Sequence, residues 1–345
     1  MQALVCSKPH HLELRHYAKP ECPAGHALVR IRRIGICGTD IHAYGGNQPY
    51  FEYPRVLGHE LAGEVVEVAD SPAQHLLGKQ VYVIPYLHCG ECRACQQGKT
   101  NCCQSMQVIG VHKDGGMAEY LAVPTTHLVV SETLSIDQLA LVECMAIGAH
   151  AVRRSALQAG ELAVIVGAGP IGMGVLQVAK SRGARILMVD TNASRLAFCR
   201  DVLGADAVAN PQDVEVAALI STLNDGALAD VVFDATGNPR AMQAGFGLAG
   251  HGGRYVLVSV VKADITFNDP DFHKKELTLM GSRNATREDF DCVVSLMESG
   301  AINADAMITH RAPLADVPLK MPQWCDPANQ VIKAMISIDT EEAHS

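Results

Sequence analysis

Hydrophobic and polar positions along the chain fall into two regimes. Up to about residue 150, short β-branched runs such as HALVRIRRIGI, GEVVEV and QVYVIP are separated by Gly and Pro. That pattern predicts an antiparallel, loop-rich β domain. From about Glu161 the apolar runs ELAVIVG, ARILMVD, ADVVFDATG and GGRYVLVSV read as strands, with helices through VLQVAKSRG and RLAFCRDVLG. Strands alternating with helices predict βαβ units and a parallel, doubly wound sheet. After Leu279 the pattern is less regular, and QVIKAMISI reads as a closing strand. The stretch LAVIVGAGPIGMGVLQVA from Leu162 has the length of a membrane span, but four glycines and a proline in its middle predict strand–turn–helix. The chain has no internal repeat, no low-complexity tract and no long linker.

Composition narrows the class. A chain of 345 residues is long enough for two domains. The 48% hydrophobic and 19% charged residues are ordinary for a globular protein. The formal charge of −9 contains no basic block, which argues against nucleic acid as a partner, since phosphate binding needs clustered Lys and Arg. The opening MQALVCSKPHHLELRH lacks the apolar core of a secretory signal. Twelve cysteines in such a chain suit a reducing compartment, where they serve as metal ligands or buried small residues. A cytoplasmic protein without a membrane partner is expected.

The segment Gly167-Ala-Gly169-Pro170-Ile171-Gly172 gives G-x-G-x-x-G between a predicted strand and a predicted helix. Gly167 permits the tight turn, Gly169 lets the backbone approach a pyrophosphate, and Gly172 allows close helix–strand packing. The helix N-terminus offers unpaired N–H groups to phosphates. A Gly-rich turn alone would be weak evidence, but Asp190 ends the next strand eighteen residues after Gly172, placed to grip both ribose hydroxyls. A carboxylate there repels a 2′-phosphate, so NAD is expected over NADP, although Arg195 lies near.

Two cysteine-containing constellations carry metal chemistry. Cys89, Cys92 and Cys95 recur at three-residue intervals, and Cys102 and Cys103 follow as alternatives for a fourth thiolate. Four sulfurs suit a closed, structural zinc. Buried free cysteines would not explain so regular a spacing. A nucleic-acid-binding zinc ribbon would want more than Arg93 and Lys99, and an aromatic residue to stack. The second constellation is dispersed: Cys37, Thr39 and His42 in GICGTDIH, His59 and Glu60 after Gly58, and Glu143 in VECMAIGAHA. Taken singly, His59 reads as a structural histidine and Cys37 as a core thiol. Together, thiolate, imidazole and carboxylate leave an open coordination position, the pattern of a catalytic zinc that polarises an alcohol beside a nicotinamide.

These segments together resemble the zinc-containing medium-chain dehydrogenase/reductase family over essentially the whole chain. GICGTDIH, YPRVLGHE, the four-cysteine lobe, GGMAEY and VGAGPIG carry the resemblance. Within the family the chain looks like the polyol branch typified by sorbitol dehydrogenase. It is closer still to bacterial sugar-acid dehydrogenases acting on L-galactonate, L-gulonate or L-idonate, through GGNQPYFEYPRVLGHE, TNCC, GVHKDGG and FHKKELTLMGSRNAT. The resemblance implies an α/β protein: a GroES-like β-rich catalytic domain over 1–150, with a structural-zinc lobe at 85–105. A Rossmann domain over 151–282 and a return to the catalytic domain over 283–345 complete it. It selects Cys103 as the fourth ligand of the lobe. It implies Cys37, His59 and Glu60 as catalytic-zinc ligands, with Glu143 as a fourth or one that exchanges with water. Cys144 stands where related sequences have Pro, so a thiolate competes for that place. Thr39 and His42 match a relay carrying the alcohol proton to solvent. The implied cofactors are two zinc ions and NAD, the implied assembly a homodimer or homotetramer.

The expected reaction is oxidation of a hexonate at a secondary hydroxyl, at C5, to a keto acid. Arg283, with Asn284 and His273-Lys274-Lys275 on the same segment, would bind the carboxylate; alternatively Arg283 supports Glu143. Three rival functions are a neutral-polyol dehydrogenase, a zinc-free quinone or enoyl reductase, and a non-catalytic NAD-sensing or nucleic-acid-binding protein that kept the fold. The metal set argues against the second, and the intact proton relay against the third.

Overall fold

The run HALVRIRRIG forms the strand His26–Gly35, in which Ala27, Leu28, Val29, Ile31 and Ile34 are buried. The computed structural model describes residues 1–48 and 51–338. Pro49 and Tyr50, in the segment GGNQPYFEYPRVLGHE, and residues 339–345 lie outside the described residues. The chain forms two compact units, one of Met1–Glu143 with the chain from Ala304 onward, the other Cys144–Asn303. The expected junctions were 150/151 and 282/283. The first observed junction falls inside the helix Ile136–Arg154, and the helix Arg287–Glu298 belongs to the second unit.

In the first unit, a seven-stranded sheet runs in the order Leu128–Val130, Gln80–Val83, Glu60–Val68, His26–Gly35, Lys333–Ser337, Ile308–Pro313, and Tyr120–Pro124 also pairs with His26–Gly35. Leu4, Val29, Ile31, Ile34, Leu57, Leu61 and Ile336 belong to its core and are almost fully buried. Burying one such side chain contributes roughly 1.5–3 kcal/mol. Strand pairs before residue 150 are antiparallel, as expected, whereas Ile308–Pro313 and Lys333–Ser337 run parallel. A helical segment between them, Val317–Cys325, provides the crossover that a parallel pair needs.

The second unit holds a six-stranded parallel sheet in the order Ala207–Ala209, Arg185–Val189, Leu162–Val166, Ala229–Asp234, Ala249–Leu257, Thr278–Gly281. Numbered along the chain within this unit, the order is 3-2-1-4-5-6, the doubly wound Rossmann arrangement. Leu162–Val166 is buried at every residue, as a central strand covered on both faces must be. The stretch that resembled a membrane span divides into this strand and the helix Pro170–Ser181. Among the described residues no helix is long and apolar enough to cross a membrane.

The less regular region after Leu279 contains the twelve-residue helix Arg287–Glu298, capped reciprocally by Thr286 and Asp289. Asp289, 1% exposed, also accepts from His150 Nδ1 (2.8 Å) and from Arg153 Nε (2.6 Å) and Nη2 (3.0 Å). This buried network ties that helix to Ile136–Arg154.

Candidate active site and metal centres

The strand His26–Gly35 ends two residues before Cys37, which caps the short helix Gly38–Tyr44. That helix carries Thr39, half-buried, and His42, exposed. Asp40 on the same turn is buried and accepts from the backbone N–H of Cys37 (2.9 Å) and of Gly58 (3.1 Å). One carboxylate thereby fixes both segments that bring in Cys37 and His59. The register pairs Gly35 with Glu60, and a Cβ at Gly35 would collide with the Glu60 carboxylate. The glycine is what lets Glu60 fold over its neighbouring strand.

Cys37, His59 and Glu60 each present a ligand atom within 4.8 Å of the others. Neither Glu143 nor Cys144 belongs to that compact set. Glu143 is buried and accepts a hydrogen bond from the Tyr86 hydroxyl. Lys333 is also buried, and its Nζ donates to Glu60 Oε1 (2.7 Å), Glu60 Oε2 (2.8 Å) and the Ile36 carbonyl (3.1 Å).

The electrostatics of this pocket fit a bound cation. Burial pushes the Asp40 and Glu143 carboxyls up. Burial alone would pull the His59 imidazole down, but Cys37 and Asp40 outweigh it and hold it well above its usual range. The two carboxyls shift because water is excluded from them, and the imidazole because a thiol and a carboxylate lie close to it. Lys333 is the one buried ammonium among the described residues, against Asp40, Glu60 and Glu143. His59 Nδ1 is buried without a hydrogen-bond partner, 3.9 Å from Asp40 Oδ1. The Cys37 thiol, the His59 imidazole and the Glu60 carboxylate, converging within 4.8 Å, form a donor set that suits zinc.

In the second cluster, Cys89, Cys92, Cys95 and Cys103 have all four sulfurs within 4.8 Å of one another. Sγ–Sγ separations are 3.5 Å for Cys92–Cys95, 3.5 Å for Cys89–Cys103 and 4.0 Å for Cys89–Cys95. Zn–S bonds of 2.3 Å in a tetrahedron give sulfur edges of about 3.8 Å, so the cage has the size zinc requires. Cys103 is buried and Cys102 exposed, so the structure brings the former into the cage. Backbone N–H groups of Gln104 and Cys95 bring the Cys92 thiol down to about 6, while burial pushes Cys95 up to about 12.

The dinucleotide motif lies in the second unit. A Cβ at Gly172 would collide with the Gly167 carbonyl, so helix and turn meet at a distance only glycine allows. Gly169 caps the helix that Pro170 and Ile171 open, and a Cβ there would meet nothing within 4 Å, leaving room for a pyrophosphate. Asp190 Oδ2 accepts from Ala168 N (2.6 Å) and Oδ1 from Asn192 N (2.8 Å). It therefore braces the glycine turn, and each oxygen keeps a further lone pair. Arg195 sits in the first turn of the helix Ala193–Asp201, half-buried. A cavity of about 580 Å³ opens beside Val166 and Val189, the last residues of two central strands, and is walled by Val214, Val216 and Leu248; residues 167–172 and Asp190 do not line it.

Arg283 is exposed on the loop after Thr278–Gly281, also in the second unit, and Asn284 next to it has φ +52° and a buried, unpartnered Nδ2. His273, Lys274 and Lys275 end a short helix, and Lys275 donates to the Ala249 carbonyl (2.9 Å). That bond commits Lys275 to the fold. Three residues of the first pocket escaped the sequence reading. Asp40 stood inside GICGTDIH and Lys333 inside the apolar run QVIKAMISI, where a lone charge was the signal. Tyr86 had none.

Comparison with known proteins agrees with this chemistry. Residues 23–133 match the alcohol dehydrogenase GroES-like domain, and residues 170–299 match the zinc-binding dehydrogenase family. L-galactonate-5-dehydrogenase of Escherichia coli (strain K12) is 47% identical over 315 residues, covering 91% of this chain and 92% of that protein. This chain belongs to the zinc-dependent medium-chain dehydrogenases. The dehydrogenase is also similar to a crystal structure of an alcohol dehydrogenase from E. coli CFT073 complexed with NADH. That match has a TM-score of 0.92 and 28% identity, covering 98% of this chain and 99% of that one. L-idonate 5-dehydrogenase of E. coli K-12 MG1655 matches with a TM-score of 0.85 and 26% identity, covering 98% of each chain. The dehydrogenase is an enzyme that works with zinc and a nicotinamide cofactor, on a GroES-like β-rich domain and a Rossmann domain.

Proposed function

We propose that this dehydrogenase oxidises the C5 hydroxyl of a hexonate such as L-galactonate, L-gulonate or L-idonate to a keto acid, with NAD as hydride acceptor. The observation that carries the reading is the Cys37–His59–Glu60 set, half-buried at Cys37 and buried at the other two, with its ligand atoms within 4.8 Å of one another. These three hold the catalytic zinc, with Glu143 as a fourth ligand or one that exchanges with water. Cys89, Cys92, Cys95 and Cys103 hold a second, structural zinc. When bound, zinc supplies Lewis-acid polarisation of the alcohol and the nicotinamide accepts the hydride. The Thr39 hydroxyl would accept the alcohol proton while releasing its own towards His42, which is exposed on the same helix and would pass a proton to solvent.

Gly167, Gly169, Pro170, Ile171 and Gly172 cradle the pyrophosphate, and the free lone pairs of Asp190 accept from the ribose hydroxyls, which favours NAD. Arg195 lines that end of the site. The Arg283 guanidinium takes the substrate carboxylate through parallel hydrogen bonds, and Asn284 Nδ2 adds a donor. The 47% identity to a protein named L-galactonate-5-dehydrogenase supports a sugar acid over a neutral polyol. The exposed edge strand Thr278–Gly281 supports assembly as a homodimer or homotetramer, since a second copy could pair with it. The cysteine-rich metal set supports a cytoplasmic enzyme, where thiols stay reduced.

The test is a screen of hexonates and polyols by absorbance at 340 nm, with NAD and NADP, alongside zinc analysis. A hexonate with NAD should give the highest kcat/KM. Sorbitol outperforming every hexonate would end the sugar-acid reading, and equal use of NADP would end the Asp190 argument.

A further inference from the structure

Glu143 is the one carboxylate of the first pocket whose place is set by a phenol. Tyr86, 5% exposed, donates its hydroxyl to Glu143 Oε1. Its backbone is held just as firmly. The Tyr86 carbonyl lies 3.3 Å from His88 Nδ1 and 3.3 Å from His127 Nε2, and a carbonyl only accepts, so both imidazoles donate to it. The strand Tyr86–Leu87 is further pinned by pairing with Gln107–Val108. A phenol carried on a backbone held in this way does not follow a carboxylate that moves; the carboxylate must come to it.

Glu143 meanwhile lies outside the compact set of Cys37, His59 and Glu60, although it is close enough to feel the charges of His59, Glu60 and Lys333. We infer that Tyr86 is a positioning residue that parks Glu143 beside the catalytic zinc, so that the fourth coordination place stays open to water or the alcohol. This rests on the zinc reading above. A buried carboxylate that loses its hydrogen-bond partner seeks the nearest positive charge. Without the hydroxyl, Glu143 would supply an oxygen to the ion and close the open place.

The test uses enzyme with Co2+ exchanged into the Cys37 site and zinc retained in the four-thiolate lobe. In Tyr86→Phe the cobalt absorption bands should shift, and loss of the ion to a chelator should slow by about tenfold, the scale that outer-shell partners command. The double variant Tyr86→Phe/Glu143→Gln should return both readouts to their native values. Glu143→Gln alone should leave the native spectrum unchanged, and it decides the matter if Tyr86→Phe fails to fold. An unchanged spectrum in Tyr86→Phe, or faster loss of the ion, would overturn the inference. So would a shifted spectrum in Glu143→Gln alone, since Glu143 would then already be a ligand. Native protein that takes up no metal at Cys37 would refute the functional reading, and this one with it.

Discussion

Replacing Lys333 with Met removes the ammonium that neutralises Glu60 while keeping most of the side-chain volume. Three bonds go at once, at 2.7, 2.8 and 3.1 Å, and the charged partners, Lys333 and Glu60, are no more than 1% exposed, so solvent screening does not discount them. Breaking a buried pair by removing one partner costs about 3–5 kcal/mol, because the remaining charge is left uncompensated. In protein lacking the catalytic metal the full cost should appear, and Tm should fall by about 10 °C. A cation bound by Cys37, His59 and Glu60 would itself compensate Glu60, so the loaded variant should lose less. If about 2 kcal/mol of the cost is recovered on loading, metal affinity at this site rises by roughly 30-fold. Calorimetric unfolding of native and variant enzyme, each with and without catalytic zinc, measures both quantities. Equal losses in the two states would refute the reasoning, since Glu60 would then gain nothing from the ion.

Cys92→Ser should leave one zinc per chain and lower expression of folded protein, because binding at a four-thiolate cage is coupled to local folding; metal analysis of the purified variant checks this. Asp190→Ala removes both the carboxylate offered to the ribose and the brace on the amides of Ala168 and Asn192. The KM for NAD should rise about 10- to 100-fold while the NAD/NADP ratio of kcat/KM narrows. For Asp289, burial pushes its carboxyl up but His150 and Arg153 outweigh it and hold it well below the usual range, so its contribution is present above pH ~4 and lost on acidification. Asp289→Asn should cost about 3 kcal/mol at pH 7, and its gap to the native protein should shrink between pH 4 and 2 in denaturant titrations.

What was legible in the sequence is what local chain geometry encodes. The turn between strand and helix needs its glycines within six residues, and the sulfur cage takes its ligands from fifteen, so spacing carries the information. The partners that complete the site come from far along the chain. Lys333 meets Glu60 across 273 positions, Tyr86 meets Glu143 across 57, and His150 meets Asp289 across 139. No periodicity reports such pairs. The helix Arg287–Glu298 did carry a local sign, Thr286 followed three residues later by Asp289, which the fading apolar pattern concealed.

The long-range part of the site is a matter of strand register. His26–Gly35 lies between Glu60–Val68 and Lys333–Ser337 in the sheet, with Gly35 opposite Glu60 on one side and Met335 on the other. Glu60 can fold across the strand because Gly35 has no side chain, and Lys333 can reach it because the closing strand starts two residues before Met335. A slip of one residue in either pairing would turn the side chains of that strand to the opposite face. Glu60 or Lys333 would then be buried without its partner, at the several-kcal/mol cost of an isolated charge. The ion pair thus penalises wrong registers of both pairings at once. It follows that the residues which build the pocket also specify the sheet, and that the far end of the chain is required for the chemistry near its beginning.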